Sequence, residues 1–149
     1  MATVIGNITI SNVAVGSSAA TALAVGSTVV WTNKPAPVAG PWLCFTAEEA
    51  SSTATLSAVG SPDAVSLETS EDGSSWSDYT VGDTLTLADV GDKVYMRAKN
   101  ENSTLGKDSS NYYKFVMTGT IAASGNMQSL LKADCSRTDA PSYCFSRFF

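Results

Sequence analysis

Between Thr53 and Thr118 the chain is a succession of short alternating runs, each stopped by turn residues, and that pattern leaves few folds open. Ala54, Leu56 and Ala58 alternate with Thr53, Thr55 and Ser57. Gly60-Ser61-Pro62-Asp63 then links to Val65, Leu67 and Thr69, which alternate with Ser66, Glu68 and Ser70. Asp72-Gly73 turns the chain into Trp76 to Thr80, because both residues of the pair tolerate positive φ. Gly82-Asp83 leads into Leu85 and Leu87, and Gly91-Asp92 into Val94, Met96 and Ala98, with Tyr95, Arg97 and Lys99 on the other side. A polar loop, Asn100 to Asn111, precedes Tyr112 to Thr118. A period of two gives each strand one apolar and one polar face, so two sheets must close over one core. The expectation is an all-β chain built as an antiparallel β-sandwich, with Leu67, Leu85, Leu87, Val94, Met96 and Phe115 inward.

The two ends read differently. Val4, Ile8, Ile10, Val13 and Val15 form an apolar series broken at Ser11-Asn12, and a low-charge stretch leads on to Val29, Val30 and Trp31. No charged residue occurs between Met1 and Asn33, while Pro35, Pro37 and Pro41 each remove a backbone donor. This segment is either a first hairpin of the same domain or an extended arm whose pairing is completed by another chain, the second being slightly favoured. On that second reading Val4, Ile8, Ile10, Val13, Val15, Val29 and Trp31 are the anchoring residues. Downstream, Ser124 is placed to cap a short helix carrying Met127, Leu130 and Leu131 on one face. The expected organisation is therefore an anchoring arm over 1–40, a sandwich over 41–119, and a short helix opening a distal region over 120–149. The aromatic tail Pro141 to Phe149 is expected to be covered by further chain, as the front part of a longer polypeptide.

The residue inventory excludes several kinds of chemistry. The 149 residues contain no histidine, which removes the commonest general base and the commonest zinc ligand. Glu48-Glu49 is a carboxylate pair only in sequence, since neighbours on a strand point to opposite faces. No phosphate-binding loop, nucleophile elbow or metal cluster is present in the sequence, so the expectation is a protein that is not an enzyme and takes no cofactor. A net charge of −5 without a basic cluster argues against nucleic acid as a partner, and no apolar run reaches membrane-spanning length.

Cys44, within Trp42-Leu43-Cys44-Phe45, reads as a small buried hydrophobe, while Cys135 and Cys144 are left open as a pair or as free thiols. The sequence MATVIGNITISNV lacks the features of a signal peptide, so with Met1 as the natural start the chain folds in a cytoplasm. The sequons at Asn7 and Asn102 then carry no meaning.

Residues 45–134 carry a resemblance. The runs FTAEEASSTATLSAVGSPDAVSLETSEDGSSWSDYT, LTLADVGDKVYMRAKNENS and SSNYYKFVMTGTIAASGNMQSLL are similar to the N-terminal part of certain leucine-rich-repeat proteins. Those proteins are encoded by gut Bacteroidales and by the crAss-like phages that infect them. The resemblance implies an immunoglobulin-like sandwich followed by repeats, of which PSYCFSRFF looks like the first, cut short. It implies a presenting role: surface proteins in the bacteria, head or tail fibres in the phages. The missing secretion signal and the apolar arm suit a virion surface, with capsid or other virion proteins and sister chains as partners. Fibres are commonly trimers, so a trimer is the first expectation. A bacterial surface adhesin and a carbohydrate-binding module are the alternatives.

The stretch EDGSSWSDY lacks the spaced oxygen ligands of a calcium loop and reads as a hairpin. Trp76 and Tyr79 either cap the core or, with Tyr95 and Tyr112, face a ligand such as a host-surface glycan. Core packing is the expectation for Trp76, because it comes directly after a hairpin turn.

Overall fold

Asp72 shows how the turns of this chain are made. Its carboxylate accepts the backbone N–H groups of Ser74 and Ser75, both at 2.7 Å, and the Ser70 hydroxyl at 2.9 Å, while Gly73 takes φ 74°. Those donors, Ser75 N–H foremost, hold the carboxyl well below the usual range, so the turn is capped by a charge.

A computed structural model of the chain describes residues 40–149 and, before them, the backbone of six short strands. The chain divides into two compact units, Met1–Ala36 and Pro37–Phe149. In the first, β1 (Thr3–Ile5) pairs with β2 (Ile8–Ile10), β3 (Ala14–Val15) with β4 (Ser18–Ala19), and β5 (Ala22–Val25) with β6 (Thr28–Thr32), all antiparallel.

The second unit contains β7 (Leu43–Ala47), β8 (Ser52–Val59), β9 (Leu67–Ser70), β10 (Ser77–Tyr79), β11 (Thr84–Leu87), β12 (Lys93–Ala98), β13 (Tyr112–Thr118) and β14 (Ile121–Ser124). They form two antiparallel sheets, one ordered β10-β9-β12-β7-β14 and the other β11-β8-β13. The alternation does what the sequence pattern demands. Ala54 and Leu56 of β8, Leu87 of β11, Val94, Met96 and Ala98 of β12 and Phe115 of β13 are buried. Leu85, expected inward, is half-buried because β11 is an edge strand, and Ala58, near the end of β8, is exposed. Leu43, Phe45 and Ala47 complete the core from β7.

The segment after Gly119 differs from expectation. Ser124 does not cap a helix; it ends β14, which pairs with β7 through Ile121↔Ala47 and Ser124↔Cys44. A single 3-10 turn follows, Met127–Leu130, capped by the Asn126 side chain, which accepts the Gln128 N–H at 2.9 Å. Gly125 makes this join possible, since a Cβ there would run into the Trp42 carbonyl. Leu130 and Leu131 lie in the core, and Ser129 bridges two strands: its hydroxyl accepts Leu43 N–H at 3.0 Å and donates to the Met96 carbonyl at 3.2 Å.

The aromatic tail also packs on the unit it follows. Phe148 is buried against Phe115 at 5.0 Å and its carbonyl accepts the Phe115 N–H at 2.8 Å, while Phe149 stays exposed. Residues 120–149 thus contribute a strand and core side chains to the two-sheet unit. Among the described residues, no helix is long and apolar enough to cross a membrane.

Candidate ligand-facing surface

The strands that bury Leu43, Phe45, Val94 and Met96 necessarily turn Trp42, Cys44, Tyr95 and Arg97 to the opposite face of the five-stranded sheet. There the side chains interlock. The Arg97 guanidinium lies over Trp76 at 3.7 Å from the ring centroid and over Trp42 at 5.2 Å. Trp42 and Trp76 meet edge to face at 4.9 Å, and Trp42 meets Tyr95 at 6.3 Å. Arg97 Nε donates to Glu68 Oε1 at 2.6 Å from the paired position on β9. Beside this pair, Lys99 Nζ donates to both oxygens of Asp78 at 2.7 Å.

Geometry determines what this arrangement can do. One face of Trp76 is occupied by a guanidinium, and the polar edge of Trp42 is used, its Nε1 donating to the Ala133 carbonyl at 3.0 Å. A cation over an aromatic face contributes about 0.5–1 kcal/mol at an exposed site and about 2 when desolvated. The stack therefore ties the β9–β10 hairpin to β12 and β7, and leaves the half-exposed remainder of two indoles as an apolar rim among charges. Tyr95 is buried beneath that rim, and burial, then the neighbouring Cys44, pushes its hydroxyl above the ordinary range.

Of the four aromatics that were candidates to face a ligand, only Trp76 and Tyr95 come together, through Trp42. Tyr79 points into the core: its hydroxyl donates to the Asp83 carbonyl at 2.7 Å and accepts Leu56 N–H at 2.9 Å. Tyr112 lies at the start of β13 in the other sheet, with the Arg147 guanidinium 5.7 Å from its ring centre. Trp76 does not cap the core as expected. It sits on the outer face, one residue before β10, while Tyr79, opposite Leu67, is the residue of β10 that turns into the core.

The anchoring residues Val4, Ile8, Ile10, Val15, Val29 and Trp31 fall on the upstream strands, with their side chains outside the described residues, and Val13 lies outside them altogether.

Two further groups belong to architecture. Glu48 and Glu49 lie in the link between β7 and β8, where Glu49 accepts the Thr120 hydroxyl at 3.1 Å. Asn102 is buried: its amide donates to the carbonyls of Ser66 and Leu130, and its Oδ1 accepts Ser66 N–H at 2.9 Å. It pins the loop after β12 to the 3-10 turn, a role that a sequon-like Asn-Ser-Thr does not announce. Cys44, Cys135 and Cys144 are free thiols, Cys44 and Cys144 being buried. Among the described residues, no group of three or more His, Cys, Asp or Glu is placed to hold a metal ion. No protein-family model, curated protein or solved structure matches the chain.

Proposed function

We propose that this chain is a non-enzymatic structural protein of a phage virion, a head fibre or capsid decoration. Its upstream unit attaches to the particle and its two-sheet unit is an immunoglobulin-like stalk that presents an adhesive surface. The observation that carries the reading is one of extent. The residues similar to the phage and Bacteroidales leucine-rich-repeat proteins, 45–134, fall within the Pro37–Phe149 unit and include all eight of its strands except the first two residues of β7.

Strand order supports the immunoglobulin-like part. β9, β10 and β12 stand together as strands C, C′ and F do, and β8 pairs with β11 as B does with E. The flanking positions are exchanged: β7, first in the chain, takes the place of the last strand beside F, and β13 takes the place of the first strand beside B. The expectation that the protein catalyses nothing rests on the missing histidine and on carboxylates engaged in turns and ion pairs.

The test is co-sedimentation of purified chain with particles of a crAss-like phage stripped of head fibres. Saturable binding that is lost when residues 1–36 are removed is the expected result, and no binding by the full chain refutes the reading. The half-exposed Trp42–Trp76 rim favours a carbohydrate-binding module as second reading. Glycan-array binding abolished by Trp76→Ala is its signature.

A further inference from the structure

The upstream unit is a tandem repeat. Written in blocks of ten, residues 1–30 align as MATVIGNITI, SNVAVGSSAA and TALAVGSTVV. Glycine stands at the sixth position each time (Gly6, Gly16, Gly26), followed by Asn or Ser, with Ile or Val before it. The backbone repeats with the same period. The innermost pairs are Ile5↔Ile8, Val15↔Ser18 and Val25↔Thr28, so each hairpin closes over the same two positions of its decapeptide. Gly at the first and Asn or Ser at the second place of a two-residue connection is the signature of a tight hairpin.

Three such hairpins pose an energetic problem. Each is a separate two-stranded sheet, so each strand leaves one edge of N–H and C=O groups without a ladder partner among the described strands. A lone two-stranded hairpin is marginal in water, and a repeat that cannot bury its own face is stabilised by stacking on like repeats. The usual protection of free edges is absent as well, since residues 1–33 contain no lysine and no proline. The absence of charge also leaves nothing for a charged partner to recognise.

We infer that these decapeptide hairpins assemble with the same hairpins of other copies of this chain, edge to edge and in register, into a short shared β-shaft. The shared repeat selects a second copy over any other occupant: the innermost pair falls at the same two places of each decapeptide, so every copy offers edges that start from the same positions. Pairing between copies closes when the copies are related by rotation, which gives a discrete dimer or trimer. The inference rests on the attachment role above only for where the shaft sits; the assembly itself needs no particle.

Sedimentation velocity of the full chain, without particles, tests it, together with hydrogen exchange at two concentrations. The expected mass is about two or three times the 15.5 kDa of one chain. Amides of residues 3–32 are expected to be protected at high concentration and to lose that protection on dilution, while those of β7–β14 keep theirs. Replacing Gly6, Gly16 and Gly26 together by Val is expected to yield monomers whose two-sheet unit melts unchanged, because tight hairpin connections favour glycine and disfavour β-branched residues.

Deleting residues 11–20, one whole repeat, is expected to keep the oligomer, whereas deleting residues 11–15 breaks the period and dissolves it. A monomeric full chain at tens of micromolar, or protection of residues 3–32 that is independent of concentration, overturns the proposal. Oligomers that do not bind particles leave this proposal standing and remove the virion reading; monomers that bind them do the reverse.

Discussion

Phe148→Ala is the sharpest test of whether the aromatic tail belongs to the core it lies on. The ring is 2% exposed and meets Phe115, Phe149 and Phe145 at 5.0, 5.5 and 5.8 Å. Truncation removes the ring and leaves a cavity, while the backbone carbonyl that accepts Phe115 N–H remains. Changes of this kind in a core cost about 3–5 kcal/mol. A domain of this size holds about 5–15 kcal/mol in total, so the loss is a large share of it. At roughly 4 °C per kcal/mol, Tm falls by roughly 12–20 °C. The control is Phe149→Ala, next in sequence but 64% exposed, whose effect should stay within about 1 kcal/mol. Urea unfolding followed by tryptophan emission, with calorimetry on the same samples, measures both. Equal shifts for the two variants, or a fall below about 3 °C for Phe148→Ala, would show that the tail is not part of the core.

Met96→Asp places an unpaired carboxylate at a fully buried position between the sheets and should cost several kcal/mol, read as loss of the cooperative transition. Arg97→Lys should destabilise nearly as much as Arg97→Ala, about 1–2 kcal/mol, because a point charge does not replace a planar group stacked on Trp76; full retention of stability by the lysine variant would refute the stack. Asp72 has its carboxyl lowered in the folded chain by the Ser75 and Ser74 N–H groups, so its contribution is present above the ordinary value of 3.8 and lost as pH falls below it. The Tm gap between the parent chain and Asp72→Ala should therefore be full at pH 6 and shrink steadily below pH 3.8. Toward a thiol reagent, Cys135 should react first and faster as pH rises, since burial and then Asp134 push its thiol up, while Cys44 and Cys144 should wait for unfolding.

What the sequence disclosed follows from which strands have one wet face. Ala54, Leu56, Val94 and Met96 alternate with polar or boundary residues, so the period of two was readable and the inward set was largely found. β7 hid as a plain apolar run because Leu43, Cys44 and Phe45 are all buried, the core on one side and the outer-face cluster on the other. That cluster was illegible for the same reason that contacts across a sheet usually are: Trp42, Trp76 and Arg97 meet only through the pairing of β7, β9, β10 and β12. The spacing of Met127, Leu130 and Leu131 suits an α-helix and a 3-10 turn alike, and the pairing of Ser124 with Cys44 decided between them. The apparent break at Ser11-Asn12 in the upstream apolar series is a repeat boundary, visible only once the chain is set in tens.

The position of β7 has a mechanical consequence. Although it is the first strand of its unit, it lies inside the sheet, laddered to β12 on one side and β14 on the other. Tension applied through the upstream residues reaches β7 before any other strand of the unit. Ladder bonds of antiparallel strands run across the strand axis, so a pull directed along β7 loads both ladders in shear, many bonds at once, rather than peeling them open one by one. Under such a pull β7 is held from both sides, and the second ladder exists only when residues 121–124 have taken their place.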